Sequence, residues 1–134
     1  MEKYRTIYSD GLRTQITHLR SGATIITDAP VDNHGKGESF SPTDMMTASL
    51  ASCMLTMIGI AAQNNGFSID GAVAESEKVM GTDPRRVIEI NISISFPAHS
   101  YSEKEKRLIE HTAHHCPVSK SLHPDLKKTI TFNY

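Results

Sequence analysis

Two thiols and a run of histidines are the residues of this sequence whose chemistry stands out. Cys116 lies in "HTAHHCPVSKS", residues 111–121, behind two adjacent histidines and ahead of a proline that can open a helix. The other cysteine, Cys53, stands 63 positions earlier inside a long uncharged run. Four arrangements are open to such a pair: a metal site, a structural bridge, a redox couple, or two unrelated buried side chains. Cys116 with His111, His114 and His115 offers ligand types that zinc uses. The spacing argues otherwise, because neither C-x-x-C nor H-E-x-x-H occurs and adjacent histidines on a helix diverge. His111 and His115 are four apart and share a face. Histidines also suit a helix C-terminus, where cations are favoured. No metal site is therefore expected.

Taken alone, the two thiols rank with Cys116 first. It falls where a helix begins, and backbone N–H groups there favour a thiolate. Cys53 falls about three turns into an apolar helix, beyond the reach of the terminal dipole, where burial raises a thiol's pKa. By itself Cys53 reads as a small core residue.

The elements that must carry these residues follow from pattern and punctuation. The chain has 134 residues and a formal charge of −1, with 14 basic and 15 acidic side chains. That balance gives no reason to expect nucleic acid or an anionic membrane as partner. One domain spanning 1–134 is the simplest division. The opening "MEKYRTIYSD" is charged and has no apolar core, so it does not read as a secretory signal, and a cytoplasmic location is expected. In a reducing compartment a cysteine pair is more often chemical than structural.

Residues 3–8, 12–18 and 23–28 alternate, carry β-branched side chains and are divided by "SDG" and "RSG", which predicts a strand meander within 1–40. "APVDNHGKGES" lacks phosphate-loop spacing and reads as a connection. Ser41 as N-cap, Pro42 in the first turn and Asp44 three residues after the cap open a helix over about 42–64, closed by Gly66. Residues 45–62, "MMTASLASCMLTMIGIAA", carry no charge over 18 positions. The run also holds Thr47, Ser49, Ser52 and Thr56 and lacks flanking basic residues or an aromatic belt, so it reads as a buried central helix, not a membrane span. A helix apolar on nearly all sides needs more cover than a small domain provides, and homodimerisation supplies it. Ala48, Ala51 and Ser52 would let another backbone approach.

Residues 69–80 and 87–96 flank "GTDPRR" as a hairpin. Ile88, Ile90, Ile92, Ile94 and Phe96 are expected on one face of its second strand, leaving Val87 as the sole apolar residue on the polar face. Ser102 and Glu105 form a capping box for a helix to about His114, Pro117 starts another ending near 122, and 128–133 closes as a strand. The order is α+β.

Taken together, "SFSPTDMMTASLASCMLTMIGIAA" and "HHCPVSKSL" resemble the OsmC/Ohr family of thiol-dependent peroxidases, over essentially the whole chain. The resemblance implies antiparallel sheets packed on a long central helix in an intertwined homodimer. It also implies that Cys53 is the peroxidatic cysteine and Cys116 the resolving one, which reverses the ranking above. A buried thiolate needs a cation. The family supplies an arginine from a loop between early strands, and Arg20 in "HLRSGAT" matches best, with Arg13 second. The family's acidic partner stands ten positions before the cysteine, which is Thr43 here, while Asp44 stands nine before. One step on a helix turns a side chain by about 100°, so Asp44 faces elsewhere.

The implied reaction is reduction of an organic hydroperoxide, or of hydrogen peroxide, in an oxidative stress response. A Cys53 sulfenic acid forms, Cys116 resolves it, and an external dithiol of lipoyl type reduces the disulfide; no bound cofactor is implied. Met45, Met46, Met54 and Met57 would suit an apolar substrate, although they serve core packing first. The alternative is a non-catalytic redox sensor or apolar-ligand-binding protein of the same fold, motivated by Thr43 at the acidic position.

Overall fold

In the computed structural model, residues 1–97 and 100–134 are described. They form two compact units, 1–46 and 47–134, each taken in turn.

The first unit is a meander of β1 (Tyr4–Tyr8), β2 (Arg13–His18) and β3 (Thr24–Asp28), paired antiparallel in that order. The three strands fall within a residue of the expected bounds, because turn residues with forced geometry separate them. Gly11, at φ 57°, sits in the first turn, and Gly22, at φ 77°, in the second. The connection 29–40 folds back onto the sheet: Asp28 N–H donates to the Phe40 carbonyl at 3.0 Å and Ala29 N–H to that of Leu12 at 3.0 Å. Gly35 is required there, since a Cβ would collide with the carbonyl oxygen of Ala29. Tyr4, Ile7, Tyr8, Ile25, Ile26 and Phe40 are all exposed on this unit.

Helix α1 (Pro42–Asn64) opens in the first unit and continues into the second. Ser41 and Asp44 cap it reciprocally. Asp44 N–H donates to Ser41 Oγ at 3.0 Å, and Ser41 N–H to Asp44 Oδ2 at 2.8 Å. It ends as "NNG" predicts. Gly66 adopts φ 75°, with Phe67 N–H on the Ala62 carbonyl at 3.1 Å and Gly66 N–H on that of Gln63 at 3.4 Å, a Schellman closure.

In the second unit β4 (Val73–Gly81), β5 (Arg86–Ser95) and β6 (Lys127–Asn133) form one sheet with β5 in the middle. Helices α2 (Glu103–His114) and α3 (Pro117–Ser121) lie between β5 and β6 in sequence. Ser102 caps α2 through the expected box with Glu105. The expectation of purely antiparallel sheets is corrected here: β4 and β5 are antiparallel, but β6 runs parallel to β5. A segment with two helices between these strands is long enough for the crossover that parallel pairing demands.

The expected facing of β5 is corrected at its start. Val87 is buried and Ile88 is 42% exposed. Between Val79↔Glu89 and Met80↔Val87 the register shifts, leaving Ile88 as an extra residue on the β5 side. This bulge inverts the alternation for what precedes it. From Ile90 on, the pattern is as expected, with Ile90, Ile92, Ile94 and Phe96 buried. These join Leu50, Met54, Ile58 and Ala62 of α1 and Ile109 and Ala113 of α2 in the core. The first strand of the hairpin starts at Val73, not 69, because Ala72 N–H bonds the Ile69 carbonyl and Gly71 turns the chain at φ 90°.

Candidate thiol site

Cys53 sits on α1 between the buried Leu50 and Met54, on the flank where burial gives way to solvent, and is half-buried. Cys116 is the N-cap of α3, in extended conformation at φ −68° and ψ 151°, with Pro117 following in the first turn. Its sulfur accepts the Ser119 N–H at 3.4 Å. The two thiols, far apart in sequence, lie close enough in space for Cys53 to influence the titration of Cys116. No bridge joins them, so both are free thiols.

Their environments correct the ranking drawn from local sequence. Cys116, which stands at a helix start as expected, is completely buried. Burial pushes its thiol pKa up, and contact with Cys53 adds to the rise, while the Ser119 and Val118 N–H groups act in the opposite direction. Desolvation outweighs the helix-start amides, since the sulfur is fully buried and the helix it caps has only five residues. Of the two thiols, Cys53 is thus the more exposed and Cys116 the more buried.

The arginines lie in the first unit. Arg13 and Asp28 are paired directly across β2 and β3. Arg13 Nε donates to Asp28 Oδ1 at 2.7 Å and Nη2 to Oδ2 at 2.9 Å, with a further bond from Nη2 to Glu38 Oε2 at 3.0 Å. Asp28 is 1% exposed and also accepts the Glu38 N–H at 3.1 Å. The guanidinium beside it holds the Asp28 carboxyl below the usual carboxylate range, against the opposing effect of its burial, and the same pairing drives the Arg13 pKa upward. Arg20, by contrast, is 80% exposed and bonds Glu2 at 2.8 Å. Glu2 also takes the His18 ring at 2.9 Å, and these two partners, His18 first, lower its carboxyl pKa.

Asp44 spends its carboxylate and N–H on the cap of α1. Thr43 Oγ1 lies 3.2 Å from Ser41 Oγ. Of the four methionines on α1, Met54 is fully buried in the core and Met45, Met46 and Met57 are half-buried. His115 is turned back on its own helix, with Nδ1 at 2.7 Å from the His111 carbonyl and the two rings stacked at 4.2 Å. His114 packs edge-on against Phe132. A groove of about 440 Å³ lies on the outer face of the second sheet, lined by residues such as Glu75, Glu77, Asn91 and Thr129, and neither thiol borders it.

Residues that the sequence reading passed over now matter. Asp28 and Glu38 orient Arg13, and Ser119 adjoins Cys116 and is in turn bonded by Lys128. Lys128 was legible in principle, because strict alternation in "KKTITFNY" puts it on the same face as Ile130 and Phe132.

The fold is α+β, with one cysteine on a long helix and a second at a short helix start. Residues 35–131 match the OsmC-like protein family, and the chain belongs to it. A crystal structure of a proposed osmotic-stress-induced and detoxification-response protein from Psychrobacter arcticus 273-4 is similar at 49% identity and TM-score 0.95, over 99% of this chain and 96% of that one. An organic hydroperoxide resistance protein OsmC from Legionella pneumophila shares the fold at TM-score 0.79 and 14% identity, over 100% and 97% of the two chains. An organic hydroperoxide resistance protein from Elizabethkingia anophelis does so at TM-score 0.77 and 14% identity, over 99% and 95%. No curated protein matches the sequence.

Proposed function

We propose that this protein is a thiol-dependent hydroperoxide reductase. The observation that carries the reading is the proximity of a half-buried Cys53 to a fully buried Cys116, both free thiols. A nucleophile must meet solvent, and a resolving thiol must be close enough to bond it without large motion. The Cys53 thiolate attacks the O–O bond of the hydroperoxide; one oxygen stays on sulfur and the other leaves as an alcohol or water. Cys116 condenses with the sulfenic acid, and an external dithiol of lipoyl type restores both thiols by exchange. The similarity to organic hydroperoxide resistance proteins supports an organic peroxide as substrate. Arg20, matched by position, and Arg13 are the two candidate cations for the Cys53 thiolate; the bonds to Asp28 and Glu38 favour Arg13, because its guanidinium is already held in place. The reduced protein should consume an organic hydroperoxide in the presence of a dithiol. Failure with every dithiol tried would leave the redox-sensor reading of the same fold.

The working form we propose is a homodimer in the cytoplasm. By length and composition α1 could cross a membrane. Its uncovered side, however, carries Ser49, Ser52 and Thr56 beside Ile60, small and polar groups suited to another helix more than to lipid. The exposed Tyr4, Ile7, Tyr8 and Ile26 of the first sheet also call for cover. Sedimentation at micromolar protein is expected to give twice the chain mass of 14.8 kDa; a monomer at that concentration would remove the dimer from the account.

A further inference from the structure

Lys128 is a lysine in an unusual place. It stands on β6 in register with the fully buried Ile90 and on the same face as Ile130 and Phe132. A half-buried ammonium ordinarily finds a carboxylate. Among the described residues the ion pairs include none for Lys128; its ammonium instead donates to the Ser119 carbonyl and to Ser119 Oγ, both at 3.1 Å. Ser119 is itself 5% exposed, and its N–H is the group that bonds the Cys116 sulfur. A continuous chain therefore runs from the cation on β6, through one serine, to the buried thiol. Other titratable groups beside Cys116 include Cys53 of α1, His114 at the end of α2 and His115, its C-cap, the two rings being engaged with Phe132 and with His111.

We infer that Lys128 is a positioning residue for the resolution step, holding Ser119 against Cys116 and placing the positive charge that stabilises the Cys116 thiolate as it forms. The inference rests on the proposed peroxidase reading for its reaction, though not for its electrostatics. During resolution the Cys116 S–H bond and the Cys53 S–O bond break and the S–S bond forms. Cys53 sulfur is reduced, Cys116 sulfur is oxidised, and the thiol proton leaves with the hydroxyl as water. The electrons balance with no further reagent, since the hydroperoxide has already supplied the oxidant. What the buried Cys116 needs is help in losing its proton, and the Lys128 ammonium, bonded to the serine whose N–H meets the sulfur, is placed to give it.

The test compares Lys128→Met, which keeps the apolar stem and deletes the charge, with Lys128→Arg, which keeps the charge. The Cys116 thiol is titrated in the Cys53→Ser background by its carbon-13 Cβ shift, where it is the only thiol present. Lys128→Met is expected to move that titration to higher pH by about one unit, the lower end of what a neighbouring charge does. In the wild-type background it should slow disulfide formation about tenfold at neutral pH and leave sulfenic acid formation at Cys53 unchanged; Lys128→Arg should restore most of both. An unmoved titration in a folded Lys128→Met protein overturns the inference, as does a shift that Lys128→Arg fails to reverse. If the wild type consumes no peroxide yet the titration moves, the electrostatic role of Lys128 stands and the peroxidase reading alone falls.

Discussion

Replacing Cys53 by serine is expected to lower hydroperoxide turnover by about a thousandfold or more, while replacing Cys116 leaves the first oxidation intact. A nucleophile cannot be compensated by its neighbours, so its loss removes nearly all of the chemical step. The Cys116→Ser protein should still consume about one equivalent of peroxide per chain, because the half-exposed Cys53 does not need its partner in order to attack. The sulfenic acid then has nothing to condense with. It should accumulate, be trapped at Cys53 by a sulfenic-acid reagent, and pass with excess peroxide to the sulfinic state. Mass spectrometry of the labelled peptides checks both results. An active Cys53→Ser beside an inactive Cys116→Ser would exchange the two roles, in agreement with what the local sequence around Cys116 suggests.

The second large effect is expected at the Arg13–Asp28 pair. On the proposed reading, a guanidinium held in one orientation serves a thiolate better than one that must be ordered at each turnover. Arg13→Met should lower the rate of sulfenic acid formation by about a hundredfold, and Arg20→Met by less than about threefold. Single-turnover kinetics with an organic hydroperoxide separate the two; the reverse order would return the role to Arg20. The same pair governs stability. Asp28→Ala leaves the Arg13 charge without its main partner and releases the connection 29–40 that Asp28 anchors, so the melting temperature should fall by several degrees, far more than for Glu2→Ala. The pH dependence has a fixed sign. The Asp28 carboxyl is depressed in the folded chain, so its contribution is complete above about pH 4, the unfolded carboxylate value, and is lost as the pH falls through the folded one. Asp28→Asn should flatten that acid limb of the stability curve.

Much of the fold could be read ahead of the structure, for reasons that particular residues make plain. The bounds of α1 were legible because Ser41, Pro42, Asp44 and Gly66 are local signals, acting within one turn of where they stand. The α2 box was legible for the same reason. What escaped was set by distance. The parallel pairing of β6 depends on a return across two helices, which no strand pattern encodes. The bulge at Ile88 depends on the partner strand, although Val87 on the supposed polar face was its trace.

The site divides in the same way. The two cysteines were legible by type, but local reasoning exchanged their characters, because a helix start is visible in sequence and the burial of that start is not. The polar partners of these residues were not legible. Asp28 ends a strand with no hint that its carboxylate turns inward to Arg13, and Lys128 became meaningful only once Ser119 was found between it and Cys116.

The central claim is that Cys53 and Cys116 form one redox couple. One equivalent of an organic hydroperoxide, added to the fully reduced protein without external dithiol, tests it most directly, with the products read by intact and peptide mass spectrometry. The account predicts a loss of two hydrogens per chain and a single peptide pair cross-linked through Cys53 and Cys116, reversed by a dithiol. A chain that keeps both thiols free under these conditions, or that carries a stable oxidised Cys53 beside an unreacted Cys116, would contradict it.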